Sequence, residues 1–306
     1  MIIKVTNDLK KQDIWANGVE LASIMGKDRI KGKRVLVFPE TKKMHVHTFS
    51  GPVLMTDTYK ISKLDAIKRD TLFALFGHKP RIVEYDGIST YWDESHVNVW
   101  CPSIDTLLFA KALKKIKPKL SKFKTGIEIG CGSGFLSKYV LEKNKNFKNF
   151  IVNDISKYAI KSAKDNINSK SASFYIGDGI NKIKGKKFDL MICNPPYVPR
   201  PGSIGDNPYE GINLLKYFLQ EGQKHLNPGG IIITNISSLC EDMVLETLPT
   251  MKMTVLEKMT VPLKVNNIMN NKVWLNYLLK QRHLQKKHKG GYDYWQGLKI
   301  VMLENK

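Results

Sequence analysis

Cysteine is scarce: 306 residues contain four, Cys101, Cys131, Cys193 and Cys240, and no two form a C-x-x-C pair. That spacing excludes a disulfide framework and a cysteine zinc site, and it reads as reduced thiols of an intracellular chain. Long hydrophobic runs are missing, so no segment reads as a membrane span. The opening Met1-Ile2-Ile3-Lys4-Val5-Thr6-Asn7-Asp8 turns polar at once, without a signal-peptide pattern, and the expected location is cytoplasmic. Acidic residues are also few, with 28 Asp+Glu against 49 Lys+Arg and a formal net charge of +21. Such a balance points to an anionic partner, RNA, DNA or a ribosome, and carries no information about fold. No internal repeat or low-complexity segment interrupts the chain.

What is present suffices for one large domain and a smaller one. Residues 1–94 read as a small α/β accessory domain, possible substrate-binding partner to residues 95–306. Within it, 34–38 and 44–49 have strand composition, and 61–76 has helical spacing with Ile61, Leu64, Ile67, Leu72, Leu75 and Phe76 on one face. Segments 81–85 and 88–92 flank Asp86-Gly87, a hairpin turn signal. His45 and His47 share one strand face, but two ligands without a third do not make a metal site, and none is expected.

From Thr125 a regular alternation starts. Strands are expected at 125–129, 150–154, 172–176, 188–193 and 231–236, with helices at 106–116, 135–143, 157–167 and 211–226 between or before them. Ser103 or Asp105 can cap the first helix and Ser156 the third. Asn227-Pro228-Gly229-Gly230 stops the fourth. Two further strands are expected at 253–263 and 298–303, with a helix near 273–280 and a strongly basic stretch over 280–289. Strand–helix alternation of this kind implies a mostly parallel sheet covered on both faces. The lysines from Lys111 to Lys124 read as a solvated helix end, with a phosphate-binding stripe as the alternative.

Two motifs carry the chemistry. At the end of the apolar run 188–193 stands Asn194-Pro195-Pro196-Tyr197. Two prolines fix φ and remove two donors, and each proline holds its predecessor extended. The product is a stiff tip at the carboxyl end of a strand, where open α/β sheets bind ligands. It offers an amide, carbonyls and an aromatic face, a set suited to a planar –NH2 group. The Asn194 side-chain oxygen and the Pro195 carbonyl can each accept one hydrogen while Tyr197 stacks on the plane. No general base stands out.

Upstream, Glu128-Ile129-Gly130-Cys131-Gly132-Ser133-Gly134 turns a strand into a helix through three glycines, which let the backbone take φ > 0 and approach a ligand closely. Glu128 can hold an ammonium. Asp154, at the end of the second strand, can accept ribose hydroxyls, and Asp178, at the end of the third, can accept from an adenine amino group. An ammonium, a ribose and an adenine without a pyrophosphate describe S-adenosyl-L-methionine. A nicotinamide dinucleotide is the competitor, but the glycine spacing departs from G-x-G-x-x-G.

With these residues in view, the chain resembles the class I S-adenosylmethionine-dependent methyltransferases, and within them the HemK/PrmC-like glutamine N5-methyltransferases with an N-P-P-Y motif. The resemblance runs from about Val99 to Ile236. It rests on Val99-Trp100-Cys101-Pro102-Ser103-Ile104-Asp105-Thr106, on Glu128 to Gly134, on Asn194 to Pro199 and on Tyr209-Glu210-Gly211. It implies a Rossmann-like, mostly parallel seven-stranded sheet. It implies cofactor contacts at Thr106, Glu128, Gly130, Cys131, Gly132, Gly134, Asp154, Asp178 and Asn194, with Asn194, Pro195, Pro196 and Tyr197 holding the acceptor amide. The implied acceptor is a glutamine of a translation protein, such as a release factor or ribosomal protein. The exocyclic amine of adenine or guanine in RNA or DNA is the alternative, favoured by the charge and by basic clusters near Tyr292, Tyr294 and Trp295. A catalytically silent RNA- or ribosome-binding module is the third reading. Residues 1–94 do not resemble the helical release-factor-binding domain of the bacterial enzymes.

Overall fold

Apolar strand runs broken by capped helices dictate the architecture. The structure, a computed structural model, describes residues 29–30, 33–36, 53–56, 81–92, 99–205, 210–246, 248, 251–263, 268, 271–280, 283–289 and 292–305. The strands in chain order are β1 (Arg29–Ile30), β2 (Lys33–Leu36), β3 (Val53–Thr56), β4 (Arg81–Tyr85), β5 (Ile88–Trp92), β6 (Thr125–Ile129), β7 (Asn149–Asp154), β8 (Ala172–Ile176), β9 (Phe188–Cys193), β10 (Leu226–Ser237), β11 (Met251–Pro262), β12 (Gln285–Lys289) and β13 (Tyr292–Asn305). The helices are α1 (Ile104–Lys115), α2 (Lys117–Leu120), α3 (Phe135–Lys143), α4 (Lys157–Asn166), α5 (Gly179–Lys182), α6 (Asn213–Gly222), α7 (Glu241–Leu245) and α8 (Lys272–Leu279).

The main sheet has the order β8-β7-β6-β9-β10-β13-β11. Neighbours from β8 to β10 are parallel, and β13 runs antiparallel between β10 and β11. β12 also pairs with β13, so the sheet has eight strands where seven were expected. The eighth comes from the basic stretch, whose lysines give no strand pattern but do suit a sheet edge, where they discourage further pairing. Asn227-Pro228-Gly229-Gly230 differs too. It is a bulge inside β10, with a register shift between Leu226 and Ile231 and Gly229 at φ 74°, and α6 ends before it.

Side chains alternate across the sheet as strand geometry requires. Leu190, Ile192, Ile231 and Ile233 pack with α1, α3 and α4 on one face, while Met191, Cys193 and Ile232 pack with α6 on the other. Among the described residues no helix is long and apolar enough to cross a membrane.

β4 and β5 form the expected hairpin, with Asp86 and Gly87 both left-handed at φ 53° and 76°, as a two-residue turn demands. Its place is less expected. Val83, Tyr85 and Ile88 join the same core as α1 and α3. Asn166 of α4 brackets Tyr91 with two hydrogen bonds of 2.7 and 2.9 Å, and Tyr139 of α3 donates to Asp86 at 2.9 Å. A division at residue 94 therefore separates this hairpin from the core it packs in. β1, β2 and β3 form a small antiparallel sheet of their own. The strand expected at 34–38 corresponds to β2; the segments 44–49 and 61–76, with His45 and His47, lie outside the described residues.

The basic run on α1 and α2 meets acidic residues. Lys111 and Lys115 flank Glu257 of β11 at 3.1 and 2.8 Å, Lys114 pairs with Asp86 at 2.6 Å, and Lys119 pairs with Glu304. Burial works against the charge of Glu257, but the two lysines outweigh it and hold its carboxyl below the ordinary value. These lysines fasten α1 to the sheet.

Candidate active site

The carboxyl ends of β6, β7, β8 and β9 bring the expected residues to one edge. Gly130, Gly132 and Gly134 are left-handed at φ 72°, 51° and 82°, so each needs the conformational freedom of glycine. A Cβ on Gly134 would stand 2.9 Å from the Ala163 Cβ, which lets α3 and α4 approach closely. A Cβ on Gly132 would lie 3.6 Å from the Trp100 carbonyl, so the segment before α1 runs over the glycine loop. Cys131 holds the loop to β7 by donating its N–H to the Asn153 carbonyl at 2.9 Å. Its thiol is buried in the core, and burial pushes it well above the ordinary value.

Asp154 joins the loop from the next strand. Oδ2 accepts from the Gly132 N–H at 3.0 Å and Oδ1 from the Ser156 N–H at 2.9 Å. A carboxylate has about four lone-pair sites, so capacity remains for ribose hydroxyls. Burial raises its pKa, partly offset by those N–H groups. Asp178 caps α5: Oδ1 accepts from the backbone of Ile180 and Asn181 at 3.0 and 3.1 Å, and Oδ2 from Asn181 Nδ2 at 2.6 Å. Its first task is to shape the rim; an adenine contact would use what lone-pair capacity is left.

Glu128 requires a correction. The residue is 2% exposed, and Oε2 accepts both the backbone N–H of Ser137, at 2.8 Å, and the Ser137 hydroxyl. It clamps the first turn of α3 beneath the glycine loop and is not presented as an open ammonium ligand. Burial pushes it up to about 8, with the Ser137 bonds working the other way.

The Asn-Pro-Pro-Tyr tip follows β9. Asn194 Nδ2 donates to Asp105 Oδ2 at 3.2 Å and reaches Thr106 Oγ1 at 3.4 Å. Asn194 Oδ1 is buried and has no donor. Thr106 thus stands at Asn194; its Oγ1 also accepts from the Ser103 N–H at 3.2 Å in the cap of α1. Pro195 is buried and Pro196 half-buried. Tyr197 is wedged where three apolar clusters of the described residues meet, and burial, then the nearby Asp105 charge, pushes its hydroxyl well above the ordinary value. That ring is a buttress of the tip on one side at least.

Sequence reading missed three residues here. Asp105, 7% exposed, is a capping candidate by sequence and in the structure is a partner of Asn194. Trp274 of α8 donates its indole N–H to the Pro199 carbonyl at 2.7 Å, bracing the chain just past the tip. Arg200 lies over the Trp274 ring at 5.4 Å and pairs with Glu210 at 2.9 Å, lining a cavity of about 390 Å³ with Pro199, Asn213, Lys216 and Tyr277. An arginine between two prolines was the only local signal. Tyr209 lies outside the described residues.

Taken from β6 outward, a parallel sheet with this strand order, a last strand in the chain that runs antiparallel, and a glycine loop directly after β6 define the class I methyltransferase architecture. The chain belongs to the methyltransferase small domain family, whose model matches residues 101–261. A Methanocaldococcus jannaschii protein, provisionally named a protein N5-glutamine methyltransferase, is 31% identical over 169 residues, covering 52% of this chain and 80% of that one. The release factor glutamine methyltransferase of Bacillus cereus is 36% identical over 127 residues, 36% of this chain and 44% of that one. That of Aquifex aeolicus is 26% identical over 128 residues, 36% of this chain and 45% of that one. The chain thus spans less than half the length of these two release factor enzymes.

The site residues fit S-adenosylmethionine. The open acceptors are acidic in a basic protein, with Asp154 and Asp178 at one edge and Glu128 bracing the loop from beneath. The glycine loop leaves a cradle that side chains would fill, and the buried Asn194 Oδ1 lacks a donor.

Proposed function

We propose that this chain transfers the methyl group of S-adenosylmethionine to the side-chain nitrogen of a glutamine in a protein of the translation apparatus. One observation carries the reading: Asn194 holds a buried amide oxygen with no donor at the carboxyl end of β9, one strand from the glycine loop. A buried acceptor left unpaired is costly, and a planar –NH2 group supplies the missing hydrogen. The names of the relatives support glutamine as the acceptor.

When bound, the cofactor supplies an electrophilic methyl on a sulfonium. The residues of this chain do the rest. The backbone of Gly130, Cys131, Gly132 and Gly134 would carry the loop against it, Asp154 would accept from the ribose hydroxyls, and Asp178 and Thr106 would lie towards its two ends. Asn194 Oδ1 and the Pro195 carbonyl would each accept one hydrogen of the acceptor –NH2, turning the nitrogen lone pair towards the methyl; as the N–C bond formed and the S–C bond broke, the cofactor would leave as a neutral thioether and one N–H proton would pass to solvent. Pro196 keeps the tip stiff and Tyr197 packs beside the amide plane. An amide is a poor nucleophile, so alignment and these acceptors provide most of the rate.

The nucleobase alternative draws on the net charge of +21. Labelled-methyl transfer into a cell lysate, divided between nuclease and protease treatment, separates the two. Label released by protease and resistant to nuclease is expected; label released by nuclease alone overturns the glutamine reading.

A further inference from the structure

An asparagine amide can sit either way round, and only one way leaves an acceptor at the tip. In this structure the choice is made by a neighbour. Asn194 Nδ2 donates to Asp105 Oδ2 at 3.2 Å, and Oδ1 points away from that contact, buried and without a donor. A carboxylate accepts hydrogen bonds and an ionised one has none to give. Turning the amide over would set its oxygen against the Asp105 oxygen. Thr106 does not discriminate in the same way, because a hydroxyl both donates and accepts.

Asp105 is itself held for the purpose. It lies in the first turn of α1, where the helix dipole favours an acid, and its Oδ1 accepts the Ser103 hydroxyl. It is 7% exposed, yet none of the ion pairs among the described residues includes it. No backbone N–H of α1 among the described residues bonds to it, since Ser103 and Thr106 make the cap. Burying a carboxylate without a cation is unfavourable, so a simple capping role does not account for it. We propose that Asp105 is a positioning residue which fixes the orientation of the Asn194 amide, so that the oxygen and not the nitrogen receives the acceptor –NH2. The inference rests on the reading of Asn194 as the acceptor of that group.

Exchanging the two side chains tests it. Asn194→Asp alone sets two carboxylates against each other; combined with Asp105→Asn, the donor and acceptor of the pair change sides and an oxygen is again free at the tip. Methyl transfer from tritium-labelled S-adenosylmethionine into the protease-sensitive fraction of a lysate is measured for both, with Asn194→Ala as control and cofactor affinity followed by calorimetry. The exchanged pair is expected to be at least about 10-fold faster than Asn194→Asp at similar cofactor affinity, the signature of direct coupling between the two positions. An exchanged pair no faster than Asn194→Asp overturns the inference. If instead Asn194→Ala keeps the wild-type rate, the reading of the tip falls, and this inference falls with it. A second measurement covers poor folding of Asn194→Asp. In nitrogen-15-labelled protein, the Asn194 side-chain NH2, assigned by its loss in Asn194→Ala, should exchange with solvent at least about 10-fold faster in Asp105→Ala than in wild type, because this part-buried hydrogen bond protects it. Equal exchange also overturns the inference.

Discussion

At the scale of single residues, the account turns on which groups meet at the end of β9. Asn194→Ala removes an acceptor that acts on the reacting nitrogen and touches no structural hydrogen bond except those to Asp105 and Thr106. We expect its kcat to fall by about 10² or more with cofactor affinity little changed, by analogy with loss of one group that stabilises developing charge. The glycines divide differently. Gly134→Ala meets both a left-handed φ of 82° and a Cβ 2.9 Å from Ala163, so it should cost about 1–3 kcal/mol in urea unfolding. Gly132→Ala has room at 3.6 Å, so its cost should be smaller and fall mainly on cofactor binding. The tip and the loop could be read from sequence because their chemistry demands particular residue types in adjacent positions. Asp105 could not, because its partner is 89 positions away and an acid near a helix start already has an ordinary explanation. Glu128 differs for a related reason: sequence places it at the right strand end but does not show Ser137 closing over it.

At the scale of elements, β6 to β9 and the helices α3 and α4 follow from periodicity and caps, as with Ser156, whose hydroxyl accepts from the Ala159 N–H at 3.4 Å, whereas the bulged start of β10 and the short α5 do not. What sequence did not carry is docking. Asp86-Gly87 announces a hairpin, but only the packing of Val83, Tyr85 and Ile88 against α1 and α3 shows that the hairpin completes the core. A chain starting at residue 81 should therefore unfold in one cooperative transition, whereas one starting at residue 95 should be markedly less stable or aggregate. Equal urea midpoints for the two would show that the hairpin contributes nothing. β12 escaped notice because a run rich in lysine has low strand propensity, and its pairing to β13 comes from tertiary context.

At the scale of the whole molecule, a strongly basic protein gathers carboxylates at one edge of its sheet, and pH should expose that arrangement. Glu128 is raised by burial from an ordinary value of 4.5 to about 8, and Asp154 is raised by the same cause. A raised carboxyl contributes stability that is complete below its unfolded value and is lost as pH rises through its folded value. Asp86, Asp189 and Glu257 are lowered, so their contributions are already complete above about pH 5 and stay level. The cofactor-free protein should then lose thermal stability between about pH 5 and pH 8, and Glu128→Gln should flatten that slope. A wild-type melting temperature that rises over this interval contradicts the burial account. Beyond the site, the charge of +21 should steer encounter with an anionic partner, so kcat/KM should fall from about 50 to about 300 mM salt while kcat changes little.

The most direct test of the central claim locates the methyl group itself. Purified protein, S-adenosylmethionine and a cell lysate are incubated, and the protein fraction is digested and mapped by mass spectrometry against a parallel reaction with Asn194→Ala. The expected result is one added methyl group on the side-chain nitrogen of a glutamine, present with the wild type and absent with the variant. A methyl group found on a nucleobase, or on the same glutamine in equal yield with Asn194→Ala, contradicts the account.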